Sequence, residues 1–284
     1  MQNVPNSISI EPTILCQGGC TICANKYVQH YKQRPSMIDP MLVDKIINEV
    51  ATWDNQVSFT FSHYGEPLLN KNLAGYISHV KSTIGERIAQ QTIFTNGMLL
   101  TPTMFETLVN AGLNYCCVSV DGVRAKTFEI RRPGLKYNVV VENVKACAAL
   151  KLAKNLSCGL RVHFVIGKDN EAEVPKFYRS WQGYPGIEEV SALPDDGRAT
   201  GKPFEDISKE EACSSPFSGM FILTSGECVM CCQDIHASLV LGNANTQSLE
   251  EIWNGDKYKM VREAHKSGHK RHVLETCRAC ATRY

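Results

Sequence analysis

Ser7-Ile8-Ser9-Ile10-Glu11-Pro12-Thr13-Ile14-Leu15-Cys16-Gln17-Gly18-Gly19-Cys20-Thr21-Ile22-Cys23 decides how the rest of the chain is read. The run over 7–15 has the apolar, β-branched composition of a strand. Three cysteines spaced Cys16-x3-Cys20-x2-Cys23 follow it directly. The loop leaving the C-terminal end of a parallel strand is where α/β folds place their chemistry. A structural zinc takes four protein ligands. Three thiols without an adjacent fourth Cys or His leave a position open, and the nearest histidine, His30, is seven residues on. A [4Fe–4S] cluster held by three protein thiolates keeps one iron free for an external ligand. The competing reading is a zinc loop that borrows a distant ligand.

The whole chain has 13 cysteines in 284 residues. Residues 1–12 have neither a basic start nor an apolar run, so no secretion signal is read there. An odd cysteine count in that setting argues for metal or redox chemistry in a reducing compartment, the cytoplasm, over a disulfide framework. Thirty basic and 29 acidic residues leave a net charge of +1, which argues against a phosphate-tracking nucleic-acid binder. The longest charge-free stretch, 88–105, is broken by Gln90-Gln91, Thr95-Asn96-Gly97 and Pro102 and is not a membrane span.

Outward from the cysteine loop, strand-like runs at 7–15, 57–62, 91–95, 113–120, 159–166 and 187–193 alternate with helical patterns at 40–52, 74–83, 102–111, 137–151 and 172–181. The strands are often apolar on both faces, as buried parallel strands are. Asp39-Pro40 and Thr101-Pro102 each read as an N-cap with a first-turn proline, and Gly112 as a C-cap. Six such units imply a parallel sheet covered by helices. The count alone does not separate a barrel from an open sheet. After Leu193 the text turns polar and turn-rich, placing a boundary near residue 200 and giving domains 1–200 and 201–284. The second is cysteine-dense, with helices expected only at 248–253 and 257–266. A module that small calls for a metal centre.

Cys16-Gln17-Gly18-Gly19-Cys20-Thr21-Ile22-Cys23 resembles the CxxxCxxC loop of the radical S-adenosylmethionine (radical SAM) enzymes. Gly65-Glu66-Pro67, Thr95-Asn96-Gly97 and Ser119-Val120-Asp121-Gly122 then follow in order at successive strand ends. The resemblance implies a partial (β/α)6 TIM-like barrel. It also implies that Cys16, Cys20 and Cys23 hold one [4Fe–4S] cluster. S-adenosylmethionine would then be bound by Gly65, Glu66, Asn96, Ser119, Asp121 and Arg131, with Glu66 on the methionine amine, Ser119 and Asp121 toward the ribose, and Arg131 on the carboxylate. Electron transfer from the cluster would yield a 5′-deoxyadenosyl radical that abstracts a substrate hydrogen. Two positions depart from the family pattern: Ile22 stands where an aromatic residue is common, and Tyr64 precedes Gly65 in place of a second glycine. Taken singly, each short motif is an ordinary turn; their order carries the resemblance.

Cys213-x12-Gly226-x4-Cys231 with Cys277-x2-Cys280 is similar to the family's C-terminal SPASM extension in its shortened Twitch form. This implies a small C-terminal iron–sulfur domain and a second [4Fe–4S] cluster on Cys213, Cys231, Cys277 and Cys280, fully protein-ligated and suited to electron transfer. Four cysteines ending in CxxC also fit a structural zinc site. Cys228 and Cys232 flank Cys231 and are candidate hydrogen-atom donors, with packing beside a ligand as the plain alternative. Cys116, Cys117, Cys147 and Cys158 read as buried small hydrophobes. His63 and Tyr64 are candidate contacts at a strand end. His265 and His269, among Lys266, Lys270, Arg271 and His272, read as a solvated basic face, a place for an acidic electron donor to dock.

The reaction is expected to be dehydrogenation of an alcohol on a sugar or aminocyclitol, with the second cluster taking the substrate radical's electron. A flavodoxin or ferredoxin-type protein would be the reductant. Epimerisation through a cysteine hydrogen donor is the alternative. A peptide maturase is a third reading, disfavoured because only 15 residues precede the cluster loop.

Overall fold

The structure, a computed structural model, describes residues 3–23, 25, 33–195, 213–234, 236–278 and 280. Its frame is a nine-stranded sheet in the order β6-β5-β4-β3-β2-β1-β7-β8-β9. The first six strands are β1 (Ser7–Ile10), β2 (Val57–Phe61), β3 (Ile88–Thr95), β4 (Tyr115–Ser119), β5 (Gly159–Ile166) and β6 (Glu189–Pro194). All are parallel to their neighbours. Between them lie helices α1 (Pro40–Val50), α2 (Leu73–Ile84), α3 (Pro102–Ala111), α4 (Ala125–Arg131), α5 (Tyr137–Lys154) and α6 (Val174–Trp181). The sheet ends at β6 and β9 without closing, so the barrel is partial.

The anticipated caps form. Asp39 accepts from the Met41 N–H and Thr101 from the Met104 N–H, and Gly112 ends α3 at φ +122°. Two expectations need correction. Strand β1 stops at Ile10, five residues short of the run read from the sequence. Pro12 has no N–H for a ladder, and Thr13 and Ile14 bond instead to Ser36. The strands are also not apolar on both faces. Ile8, Ile10, Phe59, Phe61, Ile93, Val118, Val162 and Phe164 are completely buried on the helix side. The alternate positions, including Ser9, Thr60, Thr92, Ser119, Arg161, His163 and Ser191, share the other face. Period-two alternation therefore separates an apolar core from a concave face that carries the polar side chains, with Phe94, Cys117, Val165 and Leu193 among them.

The C-terminal part has more regular structure than its weak periodicity suggests. It contains β7 (Gly219–Ile222), β8 (Glu227–Val229) and β9 (Val240–Asn243), with helices α7 (Ser215–Ser218), α8 (Leu249–Asn254), α9 (Asp256–Lys266), α10 (Lys270–Val273) and α11 (Glu275–Arg278). Strand β7 pairs in parallel with β1, Ile10 opposite Ile222. Strands β8 and β9 continue the sheet antiparallel. Gly226, at φ +82°, makes the β7–β8 turn, where a Cβ would stand 2.1 Å from Asn245 Nδ2. Ser248 caps α8 in a reciprocal capping box with Glu251. The expected domain boundary at 200/201 lies among 196–212, outside the described residues.

Because β1 and β7 share a ladder and one core, the two parts should unfold together. Ile222→Ala should cost about 2–5 kcal/mol, the range for a buried large-to-small change. Denaturant curves followed at Trp53 and Trp253 should shift and remain superimposed; a C-terminal transition moving alone would contradict the shared core.

Candidate active site

The C-terminal ends of β1–β4 bring the four motif segments to one rim. The cysteine loop is strapped to the turn after α4: the Gly19 N–H donates to Pro133 O at 2.7 Å and the Thr21 N–H to Arg131 O at 2.9 Å. On its other side, the Glu66 N–H donates to Leu15 O at 2.8 Å. Gly65 is required there, since a Cβ would sit 2.0 Å from Thr13 O. The missing side chain lets β2's exit close against the chain leading into the cysteine loop.

Glu66 is buried, and its carboxylate ties β2 to β3. Oε1 accepts from Thr95 Oγ1 at 2.7 Å and Oε2 from the Asn96 N–H at 2.8 Å. Burial raises the Glu66 pKa above the ordinary carboxylate range. Asn96 turns to the cysteine loop, accepting from Gln17 Nε2 at 3.2 Å and placing Nδ2 3.7 Å from Cys16 Sγ. Ser119 lies half-buried on the polar face at the end of β4. Asp121 is fully buried: Oδ1 accepts from the Val165 N–H at 2.8 Å, and Oδ2 pairs with Arg132 at 2.7 Å. Arg131 pairs with Asp169 and donates to Val165 O.

Arg132, which the sequence reading passed over, stands closer to the thiols, with Nη1 3.9 Å from Cys20 Sγ. Asp121 and the sulfurs of Cys20 and Cys23 hold its charge more strongly than burial weakens it. The signal available was the second arginine of Arg131-Arg132-Pro133-Gly134. The Gly18 N–H, Asn96 Nδ2 and Arg132 Nη1 therefore all reach sulfur of this loop. Such donors stabilise thiolate and tune an iron–sulfur centre. The donor set fits a three-cysteine cluster: Cys16, Cys20 and Cys23 would hold it, with Arg132 and Asn96 as outer supports. His30, the zinc alternative's nearest ligand, lies outside the described residues.

The second site is equally coherent. Cys213, Cys231, Cys277 and Cys280 line one cavity, with Cys232 and His265 at its wall. Burial pushes the Cys277 thiol up to about 12, and neighbouring Cys280 and Cys213 add to that effect. This all-sulfur lining fits a fully protein-ligated cluster, although among the described residues no three such side chains already stand at metal-bonding spacing. His265, expected on a solvated face, is buried instead. Its Nδ1 lies 2.8 Å from Val261 O and its Nε2 3.9 Å from Cys277 Sγ.

Cys228 is a correction. It sits on β8 opposite Ile222, completely buried in the core, its thiol pushed up to about 12 by burial. That position removes it as a hydrogen-atom donor to a substrate. Cys232 remains half-buried, and its carbonyl accepts the Tyr64 hydroxyl. Tyr64 thereby links the two sites, while His63 packs on Tyr64 and Phe221. Cys116, Cys117, Cys147 and Cys158 are buried, as expected of small hydrophobes.

A polar network that the sequence reading missed lies on the concave face of β4–β6. Arg161 donates to Ser191 Oγ through Nε and Nη2 at 2.8 and 2.6 Å and pairs with Glu189 at 3.3 Å. His163 Nδ1 is 2.8 Å from Ser191 Oγ, and the Tyr115 hydroxyl bonds to Glu189. Only the alternation of Arg161 and His163 with apolar residues in β5 could have signalled it.

Residues 10–180 match the model of the radical SAM superfamily. The chain belongs to that superfamily. Residues 213–281 match the SPASM iron–sulfur cluster-binding domain. The family therefore uses S-adenosylmethionine and iron–sulfur clusters here, one cluster for each part. The chain is similar to the S-adenosyl-L-methionine-dependent 2-deoxy-scyllo-inosamine dehydrogenase of Niallia circulans, 24% identical over 99% of this chain and 94% of that protein. It also resembles the tungsten-containing aldehyde ferredoxin oxidoreductase cofactor-modifying protein of Pyrococcus furiosus, 20% identical over 96% and 86%. Among solved structures, BtrN in complex with AdoMet and 2-DOIA superposes with a TM-score of 0.68, at 23% identity over 99% of this chain and 95% of that one. The fold agrees with this radical SAM likeness and with the partial barrel. No helix among the described residues is long and apolar enough to cross a membrane.

Two outcomes follow. Gly65→Ala should displace the Cys16–Cys23 loop while leaving the second cavity intact. Reconstituted iron should fall from about eight to about four atoms per chain, at four per cubane; full iron would refute the strap. His163 is held down to about 4 by burial and Arg161. The unfolded chain therefore takes up a proton near pH 6.5 that the folded chain refuses, and stability falls as pH drops from 6.5 toward 4. His163→Gln should flatten that limb by up to about 3 kcal/mol, measured by denaturant titration across it.

Proposed function

We propose that this enzyme dehydrogenates a secondary alcohol of a sugar or aminocyclitol. The observation that carries the reading is the concave face. Ser119, Arg161, His163, Ser191 and Tyr115 share one face of β4–β6 and form a wall of hydrogen-bonding groups suited to a compact polyhydroxylated ring. Similarity to a 2-deoxy-scyllo-inosamine dehydrogenase over nearly the whole chain supports the same substrate class. When loaded, the first cluster with S-adenosylmethionine supplies a 5′-deoxyadenosyl radical for hydrogen abstraction, and the second supplies a one-electron acceptor.

The protein's own residues prepare the site. Gly65 and Glu66 clamp the cysteine loop to β3, Asn96 and Arg132 orient its sulfurs, and Asp121 fixes Arg132. In this proposal Gly65, Glu66, Asn96, Ser119, Asp121 and Arg131 frame the cofactor site. Asp121 and Arg131 act through the bonds that hold the rim, since their side chains are engaged within the protein. Cys213, Cys231, Cys277 and Cys280 hold the auxiliary cluster. A flavodoxin or ferredoxin-type protein supplies the reducing electron. Epimerisation is the second reading, favoured by one observation: Cys232 is half-buried at the contact with Tyr64.

Heavy water separates the two. Oxidation sends the abstracted hydrogen to 5′-deoxyadenosine and gives a ketone two mass units lighter than the substrate, with no carbon-bound deuterium. Epimerisation through a thiol gives a product of unchanged constitution carrying one solvent deuterium, lost in Cys232→Ala. The second outcome would overturn the proposal. Replacing Cys16, Cys20 and Cys23 together with alanine should abolish 5′-deoxyadenosine formation.

A further inference from the structure

His163 lies on β5 in register with Ser119 on one side and Ser191 on the other, on the concave face. The residue is half-buried there. Its tautomer is fixed by its neighbours. A serine hydroxyl has two acceptor lone pairs and one hydrogen. Ser191 Oγ receives Arg161 Nε at 2.8 Å and Arg161 Nη2 at 2.6 Å, which takes both lone pairs. Its remaining hydrogen points to the other close partner, His163 Nδ1, at 2.8 Å. Arg161 Nη2, an obligate donor, also stands 3.5 Å from Nδ1. With Nδ1 facing only donors, the neutral ring carries its proton on Nε2.

The charged groups that face the ring are Arg161 and Arg132, which oppose a second proton, and Asp121 and Glu189, which favour one. Burial and the arginines prevail, so the ring stays neutral at working pH. An imidazole in this state offers an N–H and no lone pair to the concave face.

We propose that His163 is a fixed neutral donor whose Nε2–H binds a hydroxyl oxygen of a polyol in the lumen. This rests on the site proposed above. Two sources share that chemistry, a ring hydroxyl of the substrate and the ribose of S-adenosylmethionine. In either case the proton of the reacting alcohol leaves by another route.

The tautomer is read directly on 15N-histidine-labelled holoenzyme, with the His163 signals identified by their loss in His163→Gln. The expected result is protonated Nε2 and bare Nδ1, unchanged from about pH 6 to about pH 8. A proton on Nδ1, or titration within that range, would overturn the proposal whatever the reaction. Activity supplies the second arm, with 2-deoxy-scyllo-inosamine as the probe. His163→Ala should lower ketone formation about 10- to 100-fold, the loss of one well-placed donor. His163→Gln, whose amide nitrogen reaches the place of Nε2, should recover to within about threefold of wild type, while His163→Asn, whose amide stops near Nδ1, should not. A glutamine variant no better than alanine would also overturn it. Equilibrium dialysis of S-adenosylmethionine separates the sources: weakened binding in the Ala and Asn variants assigns the ribose, unchanged binding the substrate. If wild type cleaves the cofactor but forms no ketone, the alcohol-oxidation reading fails, and the tautomer still decides His163.

Discussion

The rim depends on β1 being hydrogen-bonded along both edges, to β2 and to β7. Four residues in the middle of the sheet fix where the chain emerges, and the cysteine loop begins six residues after Ile10. Pro12 ends the strand, Thr13 and Ile14 bond to Ser36, and Gly65 closes against Thr13. The loop is thus positioned by backbone contacts. Because β7 is the other neighbour of β1, the same strand registers the auxiliary cysteines against the barrel.

That shared strand explains how two cysteine sites can act together. Tyr64 follows β2, directly before the glycine of the rim, and its hydroxyl bonds to the Cys232 carbonyl beside Cys231. Glu11, at the exit of β1, pairs with Arg34 and accepts the Thr224 N–H from the β7–β8 turn. Burial outweighs Arg34 and raises Glu11 to about 7. Buried polar ties of this kind are demanding in geometry, which suits them to holding two sites in register.

Much of this was legible in the sequence. The helix starts at Asp39-Pro40 and Thr101-Pro102 were clear because capping is local chemistry. The cysteine loop and the order of the strand-end motifs were clear because they are fixed spacings. What stayed hidden depends on tertiary pairing. The partnership of β1 with β7 joins residues more than 200 positions apart, and nothing near Gly219 announces it. Cys228 and Cys232 look equivalent in the text, yet β8 sends one into the core beside Ile222 and leaves the other at the cavity. Arg132 was overshadowed by Arg131 because adjacent arginines differ only in direction. His265 read as a surface residue because it stands among basic residues; Lys266 and His272 are indeed exposed, but α9 turns His265 inward, and Lys270 and Arg271 are half-buried at the cysteine cavity.

In the proposed reaction the auxiliary cysteine cavity holds the centre that takes the electron of the substrate radical as the ketone forms. The most direct measurement is ketone formation under single-turnover conditions by a Cys277→Ala/Cys280→Ala variant, with the auxiliary cluster followed by electron paramagnetic resonance in wild type. A reduced auxiliary cluster should appear in step with ketone in wild type, and 5′-deoxyadenosine should form without ketone in the variant. Ketone formed at the wild-type rate by the variant would contradict it.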